Sequence, residues 1–420
     1  MNLRIPKRYR RGQRRSIFTL RWAWLWLLTP LVVWFGAQVL QNRETYAPVV
    51  ERRLDEFVDN AERIIATALA PTPLPTADPA IRRRLADAAW QRGAIGEATE
   101  RYADLVQALP DSADLHQRLT LALVMENRHE EALAAAENAI TADPFSADSW
   151  ALRALALDRA GDYRAALASA RHALELAGDA PAPAARAGAW LAEALFDLGH
   201  NERAFSTVNS ALQQNPDSPA ALRVRALIHE NARFDFEAAL ADLQRARELA
   251  PHLTYIAIDL ARLHNYRFDD VDTSIALLGD VIDLNPRNSA ALLELGAVYL
   301  NALGDPVRAG EYLSRCTESN PRERSCHYLL GRAQMRNEQY ENASASFRRA
   351  IEIGPESARH YWWAANAEVL QGNCTAAIPW LQNGYRRAQA DGDNVLTSEF
   401  EFLMSGCGLL VVPGVDTSQG

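Results

Sequence analysis

A proline recurs about every 35 residues through most of this chain. Proline has no N–H to continue a helix, so each one is expected to end a helix and begin the next unit. A self-similar unit of about 34 residues is typical of stacked helical hairpins, because one hairpin cannot bury its apolar face without its neighbours. The period therefore predicts an all-α solenoid, whose ligand must be sought at particular sites and not in the repeat itself. The prolines in register are Pro110, Pro144, Pro216, Pro251, Pro286, Pro321 and Pro355.

Each unit also carries a small residue at its eighth and its twentieth position. Small side chains are needed where the two helices of a hairpin cross closely. The units begin near Pro79, Ala113, Ala147, Ala185, Pro219, Thr254, Ser289, Arg324 and Ala358. Their eighth residues are Ala86, Thr120, Ala154, Ala192, Ala226, Ala261, Gly296, Gly331 and Ala365, and their twentieth are Ala98, Ala132, Ala166, Ala204, Ala239, Ser274, Ala309, Ala343 and Ala377.

This pattern resembles the tetratricopeptide repeat (TPR) family. Besides the small pair and the closing proline, it includes Trp150, Leu292 or Tyr361 at the fourth position, and glycine or asparagine between the helices. The resemblance covers residues 79–388 as about nine units and implies a right-handed superhelical solenoid of antiparallel helix hairpins. Residues 389–420 would form a capping helix and tail. Units five, six and seven carry one extra residue before their second helix, and a loop from Gly178 to Pro183 follows unit three.

The N-terminal region predicts a membrane anchor. Residues 22–42 contain no charged side chain and as a helix would span about 30 Å, which is one hydrocarbon core. They are predicted as a single transmembrane helix, between a basic cytoplasmic leader (1–21) and a helical stalk with a proline-rich linker (43–78). A cleaved secretory signal is the alternative, although Phe35 suits a cut after Ala37 poorly.

Charge sets the expected orientation and excludes one class of partner. The net charge is −9, and because the first 40 residues hold eight basic and no acidic residues, the remainder carries −17. The basic leader predicts that the N-terminus stays inside and that the repeats are extracytoplasmic. An acidic exterior argues against nucleic acid, which needs a basic footprint. Lys7 is the only lysine, a bias toward arginine that indicates a bacterial source, so we expect a single-pass protein of the bacterial cytoplasmic membrane.

The four cysteines all lie in the last quarter of the chain. An even number outside the cytoplasm indicates disulfides, and four cysteines permit three pairings. Sequential pairing is preferred, because it would join neighbouring helices in the stack and pin the cap to the last hairpin. Buried free thiols are the alternative. The candidates are Cys316, Cys326, Cys374 and Cys407.

The sequence contains no recognisable catalytic constellation. The chain has no metalloprotease, nucleophile-elbow, phosphate-loop or dinucleotide-binding motif, and no paired cysteines or clustered histidines for a metal. We therefore expect no enzyme activity, no cofactor and no metal site.

Recognition is the remaining function. The family resemblance implies a concave groove lined by the first helices, with positions two, five, nine, twelve and thirteen of each unit facing it. Early units offer acidic side chains there, whereas later units offer arginine and aromatic residues, the usual anchors of an interface. The acidic set is Asp87, Asp114, Asp148, Asp158, Glu193 and Asp197. The predicted binding set is Tyr255, Arg262, Asn265, Tyr266, Tyr328, Arg332, Arg336, Arg359, Trp362 and Asn366.

Two functions fit this groove. The first is a membrane-tethered, extracytoplasmic scaffold that docks a protein or peptide, within a bacterial envelope complex. The alternative is a glycan-binding or accessory subunit of cell-surface polysaccharide assembly, in which Arg359 and Trp362 would stack on sugars. The envelope glycan would then be the partner in place of a protein.

Overall fold

The computed structural model describes residues 23–41, 78–354 and 357–409, and these ranges contain helices and no β-strand. The chain forms two compact units, Met1–Thr76 and Ala77–Gly420. In the first unit, helix α1 spans Ala23–Gln41 and contains Pro30. Within the described ranges, no helix combines the length and the apolar character needed to cross a bilayer. The transmembrane helix predicted over residues 22–42 is therefore not supported. The leader (1–21), residues 43–77 of the stalk and linker, Pro355 and the tail from 410 lie outside the described residues.

The second unit is a stack of antiparallel helical hairpins, and its first helices carry even numbers. These are α2 (Pro79–Gln91), α4 (Ala113–Met125), α6 (Ala147–Arg159), α8 (Pro181–Asp197), α10 (Pro219–Ile228), α12 (Thr254–Arg267), α14 (Ser289–Ala297), α16 (Arg324–Arg336) and α18 (Ala358–Leu370). The second helices are α3 (Ile95–Ala108), α5 (His129–Ala142), α7 (Tyr163–Ala177), α9 (Asn201–Gln214), α11 (Phe236–Leu249), α13 (Val271–Leu284), α15 (Pro306–Ser319), α17 (Tyr340–Ile353) and α19 (Cys374–Ala390). Helix α20 (Asn394–Gly406) covers the end of the stack.

Local signals explain where these helices begin. The side chains of Ser146, Ser218 and Asn288 each accept a backbone N–H in the first turn of α6, α10 and α14, which satisfies a donor the helix leaves free. The fourth unit starts earlier than the sequence predicts. Helix α8 begins at Pro181 and not at Ala185, because proline is well accommodated in the first helical turn, so the loop predicted from Gly178 to Pro183 is shorter.

The small residues at the eighth and twentieth positions allow the two helices of each hairpin to pack closely. A Cβ on Gly296 would lie 2.6 Å from the Leu313 side chain, and one on Gly331 would lie 2.6 Å from the Phe347 ring. The alanines at the eighth and twentieth positions are also buried, with exposed fractions of 0–1%. Close helix contact at both positions is therefore a steric requirement in these hairpins.

The extra residues of units five to seven are absorbed in two ways. Helices α10 and α14 each continue into a π-helical turn, at His229–Arg233 and Val298–Ala302. A π-helical turn accommodates one additional residue without breaking the helix. In unit six, Asp269 instead takes a positive φ of 54° in the turn after α12. The register of the stack is preserved in all three units.

Candidate functional site

The solenoid returns onto its own beginning, at contacts between residues 189 and 192 positions apart. The Asn285 side chain donates its N–H to the Gly93 carbonyl over 2.7 Å and accepts the Gly96 N–H over 3.0 Å. Asn285 is 6% exposed, so both hydrogen bonds are shielded from water. The end of unit six is thereby bound to the turn of unit one.

Two further asparagines extend this line of contacts. Asn288 Nδ2 donates to the Met125 carbonyl over 3.3 Å, and Asn320 Nδ2 donates to the Asn127 carbonyl over 3.2 Å. We call the contacts made by Asn285, Asn288 and Asn320 the seam. Because the seam joins units one and two to units six and seven, the concave groove of this part of the solenoid becomes a lumen enclosed by one superhelical turn.

Replacing Asn285 by alanine is expected to open the seam locally. The change removes two buried hydrogen bonds and leaves two backbone groups unpaired, at a cost of about 2 kcal/mol in the free energy of unfolding. Unit one would then keep its packing on unit two and the contact of Trp90 with His252 but lose its hydrogen bonds to unit six, so amide hydrogens of α2 and α3 should exchange faster. Hydrogen exchange monitored by mass spectrometry measures this, with Asn138→Ala on the exposed face of α5 as the matched control. Unchanged exchange in α2 and α3 would show that the seam does not hold the turn closed.

The lumen contains a cavity of about 380 Å³. Its wall comes mainly from the inner faces of the first helices of units two to seven. Apolar side chains and ionised groups share this wall: Val124, Met125, Asn127, Leu155, Arg159, Trp190, Glu193, Asp197, Arg223, Leu227, Tyr255, Ile258, Asp259, Arg262, Ala290, Leu293 and Glu294. A cavity of this size, whose wall combines apolar side chains with converging polar groups, has the character of a binding site.

Glu193 is the centre of an ion-pair network in the lumen. Its Oε1 accepts hydrogen bonds from Arg159 Nη2 and Arg223 Nη1, each over 2.8 Å. Arg223 Nε donates to Asp259 Oδ2 over 2.6 Å, and Arg159 Nη1 donates to Asp158 Oδ2 over 2.7 Å. Glu193 is only 2% exposed, so its charge depends on these arginines.

The pKa values of the carboxyl groups differ according to their neighbours. Burial would raise the pKa of Glu193, but the charges of Arg159 and Arg223 outweigh it and lower this pKa to about 2. Burial, reinforced by the charge of Glu193, raises the pKa of Asp158 to about 8. The same two causes raise the pKa of Asp197. Near neutral pH, Glu193 is therefore ionised while the Asp158 and Asp197 pair retains a proton.

Two buried polar atoms of the cavity wall make no hydrogen bond to any described residue. They are Glu193 Oε2 and Trp190 Nε1. Their residues are 2% and 4% exposed, and a buried polar atom without a partner costs free energy. A ligand that supplies the missing hydrogen-bond partners would gain most binding free energy at this part of the lumen.

The structure divides the predicted binding set. Tyr255 and Arg262 line the lumen, together with Glu193 and Asp197 of the acidic set. The acidic and basic positions therefore face one another across a closed turn, and the groove does not simply change sign along its length. Asn265, Tyr266, Tyr328, Arg332, Arg336, Arg359, Trp362 and Asn366 do not line this cavity.

Several members of the second group contact other parts of the stack. Arg336 donates to the Leu300 carbonyl, and Arg332 Nη2 donates to Asn301 Oδ1 over 3.3 Å. Arg359 pairs with Glu399 of α20 over 2.5 Å, and its guanidinium carbon lies 5.7 Å from the centre of the Trp362 ring. These arginines therefore join successive units and the cap.

Arg159, Arg223 and Trp190 line the lumen but are not in the set predicted from the sequence. Arg159 is at the thirteenth position of its unit and Arg223 at the fifth, both positions that the family resemblance places on the groove. Grouping early units by acidic residues and late units by basic ones concealed them. The fifth and thirteenth positions, taken regardless of charge, would have identified both arginines.

The cysteines form two disulfides, Cys316–Cys326 and Cys374–Cys407. The first joins α15 to α16, and the second joins the start of α19 to the residue after α20. This is the sequential pairing that sequence analysis prefers. In the described ranges, no group of three or more histidine, cysteine, aspartate or glutamate residues is arranged to hold a metal ion.

Comparison with solved structures supports the fold. The chain is similar to a protein chain in the crystal structure of the APC/C hetero-tetramer Cut9-Hcn1, with a TM-score of 0.58 and 15% sequence identity over 74% of this chain and 59% of that one. The chain thus spans little more than half the length of that relative. PilF of Pseudomonas aeruginosa (TM-score 0.46, 16% identity, 53% of this chain and 99% of that one) is also similar. So is PilW, a type IV pilus biogenesis factor (TM-score 0.45, 19% identity, 52% and 98%).

Sequence comparison identifies the family. No curated protein sequence matches the chain. The sequence profile of the tetratricopeptide repeat matches residues 83–147, 118–183, 151–219, 191–254, 260–323 and 328–393. These matches cover most of the chain and agree with the stacked hairpins of the structure. The chain belongs to the tetratricopeptide repeat family.

Proposed function

We propose that this protein is a non-catalytic scaffold that binds a segment of another protein in the lumen of its superhelix. The observation that carries the proposal is the cavity enclosed by the seam, whose wall contains buried polar atoms without partners among the described residues. Tetratricopeptide repeats present such inner surfaces from successive hairpins. The lumen concentrates apolar and ionised side chains from six units at one place.

The size of the cavity limits what can enter. At about 380 Å³ it is near the lower end of ligand pockets, which are roughly 300–1,000 Å³. That volume suits a few side chains and not a long extended peptide. The partner would therefore insert a chain terminus or the tip of a loop.

The proposal includes an extracytoplasmic location, within a bacterial envelope complex. Two disulfides favour an oxidising compartment, because cytosolic thiols are kept reduced. The strong preference for arginine over lysine favours a bacterial source.

Filling the lumen should abolish partner binding. Ala290 lies in the cavity wall, so Ala290→Trp would occupy part of the space that a ligand needs. Ala134→Trp, on the exposed face of α5, is the matched control. We expect a displayed library of random peptides to yield binders of the wild type and of Ala134→Trp, and the same peptides to lose at least tenfold in affinity for Ala290→Trp.

The same experiment separates the alternative function. Peptides that bind Ala290→Trp as well as the wild type would contradict the lumen as the site. The glycan alternative is favoured by exposed apolar side chains near Trp362, namely Phe402 at 77% and Val395 at 69% exposed. Retention on envelope polysaccharide that Ala290→Trp leaves unchanged, with no peptide enriched, would support that alternative.

A further inference from the structure

We propose that the ligand of the lumen presents a guanidinium or ammonium group, held among Asp158, Glu193 and Asp197, and a backbone carbonyl that accepts the indole N–H of Trp190. The ligand is thus an arginine or lysine residue of a peptide. This inference rests on the proposed function and specifies the chemistry of its partner.

The arginines of the lumen already have partners. Arg159 binds Asp158 and Glu193, and Arg223 binds Glu193 and Asp259. Arg262 lies 3.4 Å from Glu294 and 3.7 Å from Asp259. The positive charge of the lumen is therefore committed to ion pairs, and what remains available is capacity to accept hydrogen bonds.

The carboxyl groups of the lumen lie close to one another. Glu193 Oε2 is buried and has no hydrogen-bond partner among the described residues, and the Asp158 carboxyl shares a proton with that of Asp197. Asp197, one helical turn after Glu193 on α8, is exposed and lines the cavity. A fork of N–H donors, as on a guanidinium, matches several carboxylate oxygens at once. The unpaired oxygen of Glu193, together with the two carboxyl groups that share a proton, is thus complementary to one cationic side chain that takes the place of that proton.

The surrounding charges favour the same occupant. Asp158 faces Arg159 on its own helix and both Glu193 and Asp197 on α8, and Arg223 on α10 faces Glu193. On α5, burial lowers the pKa of His129, so this neighbour of Arg159 is neutral near pH 7 and adds no competing charge. The Asp158 and Asp197 pair retains a proton because burial and the charge of Glu193 raise both pKa values, although Arg159 is bound to Asp158 and Glu193. A guanidinium or ammonium group would take the place of that proton.

The indole of Trp190 indicates a peptide and not a free amine. Trp190 is 4% exposed and lines the cavity, and its Nε1–H donates to no described residue. A buried donor needs an acceptor, which a polyamine does not supply. The backbone carbonyl beside an arginine or lysine side chain would supply it.

Calorimetric titration with short peptides tests the proposal. The probe is acetyl-Ala-Arg-Ala-amide, and acetyl-Ala-citrulline-Ala-amide has the same shape without the charge. We expect the arginine peptide to bind at least tenfold more tightly than the citrulline peptide. Asp197→Asn should remove at least tenfold of the affinity for the arginine peptide, whereas Asp179→Asn, an exposed aspartate after α7, should leave it unchanged. Equal binding of the two peptides would overturn the proposal.

Two further readouts sharpen the test. Binding should release protons at pH 7, and the affinity should rise between pH 6 and pH 9, because the incoming cation displaces the proton held by Asp158 and Asp197. An affinity independent of pH would contradict the site. Agmatine carries the guanidinium without a peptide carbonyl, and agmatine that binds as tightly as the peptide would overturn the role of Trp190. If library peptides depend on Ala290 but none is basic, this inference fails while the proposed function stands.

Discussion

Replacing Glu193 by glutamine is expected to lower the free energy of unfolding by about 3–5 kcal/mol. Glutamine keeps the shape of the side chain but removes the negative charge that Arg159 and Arg223 share. Removing the central member of a buried ion-pair network leaves its partners desolvated and only partly compensated, here by Asp158 and Asp259. The loss would be a large part of the total stability of an ordinary domain, which is roughly 5–15 kcal/mol.

Urea denaturation followed by circular dichroism measures this loss. The matched control is Glu131→Gln on α5, where Glu131 pairs with Arg128 over 2.7 Å but its side chain is 60% exposed. Exposed pairs contribute about 0–1 kcal/mol, so the control should remain close to the wild type. Equal losses in the two variants would show that burial of the network does not govern its contribution.

The pH dependence of stability follows from the same network. The pKa of Glu193 is lowered in the folded state to about 2, so its stabilisation is present above its unfolded pKa near 4.5 and is lost as the pH falls toward 2. Asp158 has the opposite sign. Its folded pKa is raised to about 8, so its contribution is fully present below its unfolded pKa near 3.8 and is lost as the pH rises to 8. Glu193→Gln should therefore flatten the acid side of the stability profile.

Sequence alone predicts the hairpins well, because their determinants are local. A proline, a cap residue and two small positions lie within each unit, and eight of the nine first helices begin at the residue that the repeat predicts. The fourth differs because Pro181 and Pro183 are both acceptable in a first helical turn. Where a second helix begins one residue late, the sequence shows the insertion but does not say that it forms a π-helical turn.

The lumen could not be predicted in the same way. Its closure depends on small rotations between successive units, which accumulate over about five units until Asn285 meets Gly93. Asn285 ends α13 next to a repeat proline, a position that on sequence grounds is only a turn. Arg332 and Arg336 show the opposite error. Arginine on a first helix suggests a binding interface, yet both side chains bind the preceding unit of the same chain. Site residues therefore depend on long-range geometry that the repeat does not encode.

Reduction of Cys374–Cys407 is expected to destabilise the cap by about 4 kcal/mol. Reduction of Cys316–Cys326 is expected to destabilise the helices that it joins, α15 and α16, by about 3 kcal/mol. The difference arises because the first disulfide links residues 33 apart and the second links residues 10 apart. A longer loop loses more conformational freedom in the unfolded chain when it is closed. The cap is the segment that depends on the longer bridge.

Accessibility should let the two bridges be reduced separately. Cys316 and Cys326 are 0% exposed, whereas Cys374 and Cys407 are half-buried near the end of the stack. Mild reductant under native conditions should therefore open Cys374–Cys407 first, as alkylation and peptide mapping would show. Hydrogen exchange should then rise in α20 and leave α4 to α14 unchanged. The Cys316→Ala, Cys326→Ala double variant is the control, since it lacks the other bridge.

The effect should be confined to the cap because α20 has its own small core. Phe400, Leu403 and Met404 of α20 pack on Leu381 of α19, and Gly384 leaves room for the Phe400 ring. A single helix with so few buried residues is marginal without a covalent link, because helix stability in proteins comes mostly from packing. If both cysteines are alkylated and exchange in α20 stays slow, the packing of Phe400 on α19 holds the cap by itself, and the disulfide is not required for its stability.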